Sequence, residues 1–452
     1  MLRVKAAAAR TVGRLSRASG RGGGTTLPGR ILLRLDQDAI DKLGRGLTGG
    51  STLISATNGK TTTASMLASI LADQGRHPVH NRSGSNMTWG VATALLEEKG
   101  DEGLFEVDEA WLPEVSRRLK PRTILLGNLF RDQLDRYGET EMLADAWKAL
   151  AAELTPQTGF VLNADDPLIA DIGKQSGDAT TYFGIDDDSQ ALAEMQHAHD
   201  AKACRVCGHA LTYDRAFVGH LGHYHCTNCG NHRPEPGVTA TAVTLRGMSG
   251  LEATINAGGE SAALELPLPG LYNLYNALGA IATAIRLGVP LGAATASLAS
   301  MKAVFGRVER IDLAGTELSI LLIKNPAGAN EVLRTLSLEE EGLDLWMGLN
   351  DRIADGRDVS WIWDADLELL ADKTRTVVCT GVRADELALR LKYAGFDPGR
   401  IEVVSDLKES LKKATANASA SKRLFALPTY TALLELRELL ADQDSAGRYW
   451  QS

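Results

Sequence analysis

Leu53-Ile54-Ser55-Ala56-Thr57-Asn58-Gly59-Lys60-Thr61-Thr62-Thr63 decides the fold of this 452-residue chain. An apolar run ends in a small polar turn, and the turn opens into a helix-like segment at residues 64–71. A strand, a tight turn and a helix in succession aim backbone N–H groups and the positive helix end at one point, where a polyphosphate sits. Lys60 then reaches the β/γ oxygens, and the Thr61 or Thr62 hydroxyl ligates magnesium. Full Walker spacing asks for glycine at position 54 and the shorter form asks for it at position 56, where Ile54 and Ala56 stand. A chance Gly-Lys-Thr triplet in an exposed turn is the competing reading.

Outward from this loop, residues 52–55, 104–107, 123–127 and 159–162 read as strands, and residues 64–73, 89–99 and 111–119 as helices. Such alternation predicts a parallel sheet covered by helices, with ligands at the strand C-termini. Residues 264–269 read as another strand and 273–287 as a helix ended by Gly288 and Pro290. Alternation restarts after about residue 304, with strands at 318–323, 343–349, 376–380, 401–404 and 424–426 and helices at 385–393 and 431–440. The expected architecture is α/β throughout. It has a basic N-terminal segment (1–45), a central ATP-binding domain with a parallel sheet (46–303) and a Rossmann-like C-terminal α/β domain (304–452).

Residues 200–233 break the pattern with a run of Cys, His and Gly. Cys204-Arg205-Val206-Cys207 and Cys226-Thr227-Asn228-Cys229 are two CxxC knuckles 18 residues apart, the spacing of a four-cysteine zinc ribbon. Four thiolates close a tetrahedral shell and leave no place for water, so the expected zinc site is structural. A redox CxxC pair is the alternative. His209, His220, His223, His225 and His232 then have surface or supporting roles, and Cys379 reads as a small core residue.

Charged residues make up 23% and hydrophobic ones 44%, the profile of a soluble globular protein. The net charge of −9 speaks against nucleic acid as the main partner. No run reaches the eighteen or so apolar residues of a membrane span, and no secretory core is present, so a cytoplasmic protein is expected. Residues 1–30 are the exception in charge, with Arg3, Lys5, Arg10, Arg14, Arg17, Arg21 and Arg30 and no acid. They read either as a basic helix touching the inner face of an anionic membrane or as a solvated tail through Gly20 to Gly24.

Polar groups follow several strands. Glu106 or Asp108 in Glu106-Val107-Asp108-Glu109 would serve as a second magnesium ligand. The bland alternative for Asp108 and Glu109 is a charged helix start favoured by the dipole. Asn128 to Tyr137, Lys324 to Gly328 and Asn350 to Asp358 occupy equivalent positions, and a long loop in a compact domain tends to be functional.

These motifs resemble the Mur ligase family: Ala-Thr-Asn-Gly-Lys-Thr-Thr (56–62), Arg-Asp-Gln-Leu-Asp-Arg-Tyr-Gly (131–138), Leu-Asn-Ala-Asp-Asp-Pro (162–167), Leu-Tyr-Asn-Leu-Tyr-Asn-Ala (271–277) and Gly-Arg-Val-Glu (306–309). The cysteine insertion, Lys-Asn-Pro-Ala-Gly (324–328) and Asp-Gly-Arg-Asp-Val-Ser-Trp-Ile-Trp-Asp (355–364) are similar to its lipid II isoglutaminyl synthase branch. The resemblance runs from about residue 27 to 440. It implies ATP-dependent amidation of the D-glutamate α-carboxylate of lipid II to D-isoglutamine through an acyl phosphate. Ammonia would come from a GatD-type glutaminase that forms a heterodimer with the C-terminal domain.

By the same resemblance Thr57, Asn58, Gly59, Lys60, Thr61 and Thr62 hold the phosphates, Thr61 and Glu106 hold magnesium, and Asn276 and Arg307 contact the nucleotide. Lys60, Glu106 and Asp358 are the expected catalytic residues, Asp358 acting as the acid that orients the glutaminase histidine, with Asp355 second. A cap for the turn at 359–363 is the plain alternative for Asp358. Amino-acid-adding Mur ligases carry a carbamylated lysine, and Lys148 lies in that region. No uridine-nucleotide domain is seen ahead of the loop, which suits a lipid-linked substrate. Two rivals remain: a stand-alone Mur or folylpolyglutamate-type amino-acid ligase, and a zinc-ribbon binding module whose ATP loop no longer works.

Overall fold

The computed structural model describes residues 2–18, 26–81, 85–132, 140–196, 199–301 and 307–442. Residues 133–138 of the second motif, Gly20 to Gly24, Gly306 and the Arg307 side chain lie outside the described part.

In chain order the strands are β1 (Gly50–Ser55), β2 (Val79–His80), β3 (Glu102–Glu106), β4 (Thr123–Leu126), β5 (Gly159–Asn163) and β6 (Thr180–Ile185). A hairpin follows, β7 (Thr212–Val218) and β8 (Leu221–His225), then β9 (Val238–Leu245), β10 (Leu251–Ala257) and β11 (Glu260–Leu266). The large sheet runs β11-β10-β9-β6-β5-β4-β1-β3-β2. It is parallel from β2 to β9, while β10 pairs antiparallel with both β9 and β11.

Burial follows from this topology. β4 and β5 are buried at every position, as expected where helices cover both faces of a parallel sheet. Ile54, Leu104, Leu125 and Val161 pack on one face with the helices Lys60–Asp73 and Leu271–Arg286. Their neighbours Leu53, Phe105, Ile124 and Phe160 point the other way, toward the helices Thr88–Glu97, Leu112–Leu119 and Thr140–Leu154. β10 alternates buried and half-buried residues, the mark of an antiparallel strand with one wet face.

The second sheet contains β12 (Arg307–Leu313), β13 (Thr316–Leu321), β14 (Leu343–Gly348), β15 (Thr374–Thr380), β16 (Ile401–Val403) and β17 (Arg423–Pro428), in the order β12-β13-β17-β14-β15-β16. Only β12 runs antiparallel to its neighbour. Ala327, on the helix Pro326–Ser337 of this unit, packs into the core of the first sheet.

At the N-terminus, residues of the basic stretch form the helix Leu2–Ala18, with Ala6 and Ala9 buried. Lys5 pairs with Asp36 at 3.2 Å and Arg10 donates to the Leu96 carbonyl at 2.6 and 2.9 Å. Of the two readings of this stretch, a packed helix replaces the solvated tail over residues 2–18. Among the described residues no helix is long and apolar enough to cross a membrane.

Candidate active site

β1 delivers the loop at residues 56–59, which Gly59 turns at φ +91° into the helix Lys60–Asp73. A Cβ at position 59 would lie 1.9 Å from Asn276 Oδ1, so both conformation and space demand glycine there. Ala56 is absent from the residues with positive φ, so alanine stands at the usual glycine position without backbone strain. The loop is held from the side by the end of β4. Asn58 N–H donates to Asn128 Oδ1 at 2.9 Å, Asn128 Nδ2 donates back to the Asn58 carbonyl at 3.0 Å, and Thr57 N–H donates to the Asn128 carbonyl at 2.9 Å. Thr57 Oγ1 accepts from Phe130 N–H at 3.1 Å. Thr61 is half-buried, and Thr63 donates to Asn276 Oδ1 at 3.2 Å.

Beside the loop, the end of β3 buries Glu106, Asp108 and Glu109. Lys60 donates to Glu109 Oε2 at 2.7 Å and to the Ala56 carbonyl. Burial works against the ammonium, but Glu109, Asp108 and Glu106 outweigh it and hold the Lys60 pKa above its ordinary value. Glu109 is therefore the partner of Lys60, a role that the helix-start reading missed. The visible signal was a third acid directly behind a strand that flanks the loop.

The C-terminal unit reaches over this site. Lys324 pairs with Asp132 and donates to the Thr57 carbonyl at 3.2 Å, while the Asn325 and Asn58 amides exchange hydrogen bonds at 3.1 and 3.3 Å. A cleft of about 800 Å³ opens here, bounded by Asn58, Gly59, Asn276, Lys324 and Glu331. A second cavity of about 610 Å³ shares Lys324 with it and continues past Asn325 to Arg131, Asp355, Asp358 and Asp364. Arg131 bridges Asp200 of the first unit and Asp364 of the second.

In that second cavity the two candidate acids differ. Asp355 is buried and accepts from Thr431 N–H at 2.8 Å, anchoring its loop to the helix Tyr430–Asp442. Asp358 is exposed; Ser360, whose N–H donates to it at 2.9 Å, holds its carboxyl below the usual range. Of the expected residues, Asn58, Gly59 and Asn276 line the first cavity, Thr57, Lys60, Thr61, Thr62 and Glu106 lie in or beside the loop without lining it, and Asp358 lines the second. Arg307 is placed only by its backbone, opposite Leu321. Lys148 pairs with Asp171 at 2.7 Å rather than with a loop residue. Sequence reasoning also missed Glu331, which follows Asn330 inside the helix Pro326–Ser337 and carries no motif signal.

The four cysteine sulfurs lie within 4.8 Å of one another. Each knuckle closes in the same way: Gly208 N–H donates to the Cys204 carbonyl and Gly230 N–H to the Cys226 carbonyl, with φ +73° at both glycines. Such a set can hold a metal ion. The hairpin between the knuckles is no loose appendage, because Phe217, Val218 and Leu221 belong to the main core and Val218 and Leu221 line the cleft over the phosphate loop.

Known proteins agree with this geometry. Residues 54–229 match the model of the Mur ligase middle domain and residues 322–433 that of the MurT ligase C-terminal region. The MurT subunit of lipid II isoglutaminyl synthase (glutamine-hydrolyzing) from Streptococcus pneumoniae is 33% identical over 93% of both chains. Its Staphylococcus aureus counterpart is 32% identical over 96% of both. Among solved structures, a pseudomurein peptide ligase type C from Methanothermus fervidus superposes with TM-score 0.67 at 23% identity, covering 88% of this chain and 79% of that one. Mycobacterium tuberculosis folylpolyglutamate synthase does so with TM-score 0.61 at 16% identity, covering 93% and 99%. These two likenesses establish the fold alone. From the loop, the shared cleft, the paired knuckles and the full-length relatives, the chain belongs to the MurT family of Mur ligase-like proteins.

Proposed function

We propose that this chain is the ATP-dependent ligase subunit of a lipid II isoglutaminyl synthase, converting the α-carboxylate of D-glutamate in the stem peptide to an amide. A carboxylate is a poor electrophile, and transfer of the ATP γ-phosphoryl group makes it an acyl phosphate that ammonia attacks, expelling phosphate. Lys60 neutralises charge on the transferred group when it exchanges Glu109 for a phosphate oxygen. Thr61 and Glu106 would hold magnesium, which offsets further phosphate charge. Asn276, packed on Gly59, orients the nucleotide, and Arg307 reaches it from the domain joint. The four thiolates suit zinc as a structural ion.

One observation carries the reading: two cavities meet at Lys324, one at the phosphate loop and one lined by Asn325 and Asp358. This arrangement lets ammonia made by a GatD-type glutaminase arrive beside the activated acid. Exposed and ionised, Asp358 is suited to complete the partner's catalytic histidine, fixing its tautomer and stabilising imidazolium. Ile353 on the same loop is 75% exposed, and Trp363 and Tyr393, whose rings meet at a tilt of 58°, are 49% and 70% exposed, an apolar surface for that partner. A lipid-linked substrate brings the chain to the inner membrane face, where Val4 and Leu15 among the arginines of the helix Leu2–Ala18 are exposed for contact.

The test is reconstitution with lipid II, ATP and either glutamine or ammonium, with and without a GatD-type glutaminase, read as the mass change of acid to amide. Ammonium should drive amidation by the chain alone, and glutamine only with the partner. Glutamine-driven turnover by the lone chain would reject the divided site, and ATP consumption with an amino acid in place of ammonia would establish a stand-alone ligase. Asp358→Asn should abolish glutamine-driven turnover and spare ammonium-driven turnover; loss of both would move Asp358 into the synthetase chemistry.

A further inference from the structure

Glu331, on the helix Pro326–Ser337, lines the cleft over the phosphate loop, yet it is only 1% exposed and neither carboxyl oxygen makes a full hydrogen bond, Arg334 at 4.0 Å and the Tyr272 backbone exerting only a weak pull. Around it the wall is apolar: Val218, Leu221, Leu321 and Val332 line the same cavity. A carboxyl desolvated with such weak partners is costly, and natural proteins keep few of them. Asn58, Gly59 and Asn276 line the same cleft. A nucleotide with its phosphates on that loop can lay its base against this apolar wall, where Glu331 is the acidic lining group. We propose that Glu331 reads the base of ATP as a neutral carboxylic acid, donating its O–H to an adenine ring nitrogen and accepting from the exocyclic amino group. The proposal rests on the ATP reading given above.

A protonated carboxyl carries a donor and an acceptor side by side, matching the acceptor nitrogen and amino donor of adenine. Guanine presents a carbonyl oxygen where adenine has its amino group, so the neutral acid disfavours GTP. Once ionised, the group has acceptors only and fits the N–H and amino pair of guanine better. Desolvation pushes Glu331 up to about 7, against the weaker pull of Arg334 and the Tyr272 backbone. The groups facing it are Arg334 at 4.0 Å on its own helix, Tyr272 and Tyr275 from the helix Leu271–Arg286, and Lys324 on the cavity lip. Arg334 is already committed to the carbonyls of Phe217 at 2.8 Å and Gln190 at 2.9 Å, leaving burial as the dominant influence on Glu331.

The experiment is equilibrium binding of magnesium-ATP and magnesium-GTP to the full chain from pH 6 to 9, for the wild type, Glu331→Gln and Glu331→Leu, each shown to be folded by its melting transition. Near pH 6 the wild type should favour ATP by roughly 10- to 100-fold, the worth of one two-pronged base contact. That preference should shrink as pH passes 7. Glu331→Gln keeps a donor and an acceptor and should hold the preference at every pH, whereas Glu331→Leu should bind both nucleotides about equally. A wild-type ratio that stays flat with pH, or an unchanged ratio in Glu331→Leu, overturns the assignment of Glu331 alone. Failure of the folded wild type to bind either nucleotide overturns the ATP reading, and this assignment with it.

Discussion

Lys60 and Glu109 form a buried ion pair, and removing one member strands the other. Lys60→Ala should cost roughly 3–5 kcal/mol of stability, because an uncompensated charge is left in a desolvated site. Replacing both, Lys60→Met with Glu109→Gln, should recover most of that loss. Both variants should lose ATP-dependent amidation by about 100-fold or more. Denaturant melts and turnover separate the two effects, and equal instability of the single and double variants would show that the pair is not the stabilising contact. Asn128→Ala strands the Asn58 N–H, at about 1–3 kcal/mol, and should weaken ATP binding more than it weakens ammonia use. Glu331 adds a pH signature. Its folded pKa of about 7 exceeds the ordinary 4.5, so between those values the unfolded chain sheds a proton that the folded chain keeps. Stability should therefore fall as pH rises from about 4.5 to 7 and level off above, and Glu331→Gln should remove that slope in denaturant titrations.

At the scale of elements, the parallel strands were legible because they are buried on both faces. Leu53-Ile54, Leu104-Phe105, Thr123 to Leu126 and Gly159 to Leu162 leave little room for another reading. The meander β9–β11 was not, since Val238 to Leu245 alternates Val and Thr with small residues and carries no continuous apolar run. The one strand expected there, at 264–269, is β11 at Glu260–Leu266, stopped before Pro267, which has no N–H to give a ladder. The helix Pro326–Ser337 hid behind Lys324 to Gly328, which reads as a polar loop, although Asn325 in fact caps it by accepting from Gly328 N–H at 2.9 Å. The cysteine spacing gave the knuckles but not the reach of the hairpin into the core, which depends on contacts far apart in the chain. That reach has a measurable effect: stripping the metal with a chelator should loosen Val218 and Leu221 and weaken ATP binding several-fold. Unchanged nucleotide affinity in the chelated, folded chain would confine the insertion to a local role.

For the whole molecule, the decisive contacts lie between the two sheets, where no sequence pattern points. Asn58 and Asn325 are 267 positions apart, and Lys324 meets Asp132 across 192. Each motif was visible in isolation; that they close on one another was not. A double-mutant cycle of Asn58→Ala and Asn325→Ala on ATP affinity should show a coupling of about 0.5–3 kcal/mol, and additive losses would mean that the amide pair does not transmit binding between the units.

The three carboxylates around Lys60 have one more consequence. A single ammonium faces Glu106, Asp108 and Glu109, so this corner of the protein is net anionic toward an incoming polyanion. Those carboxylates oppose a bare polyphosphate, so a divalent cation beside them should strengthen nucleotide binding. Removing the divalent cation with a chelator should therefore weaken nucleotide binding, whichever of the two arrives first.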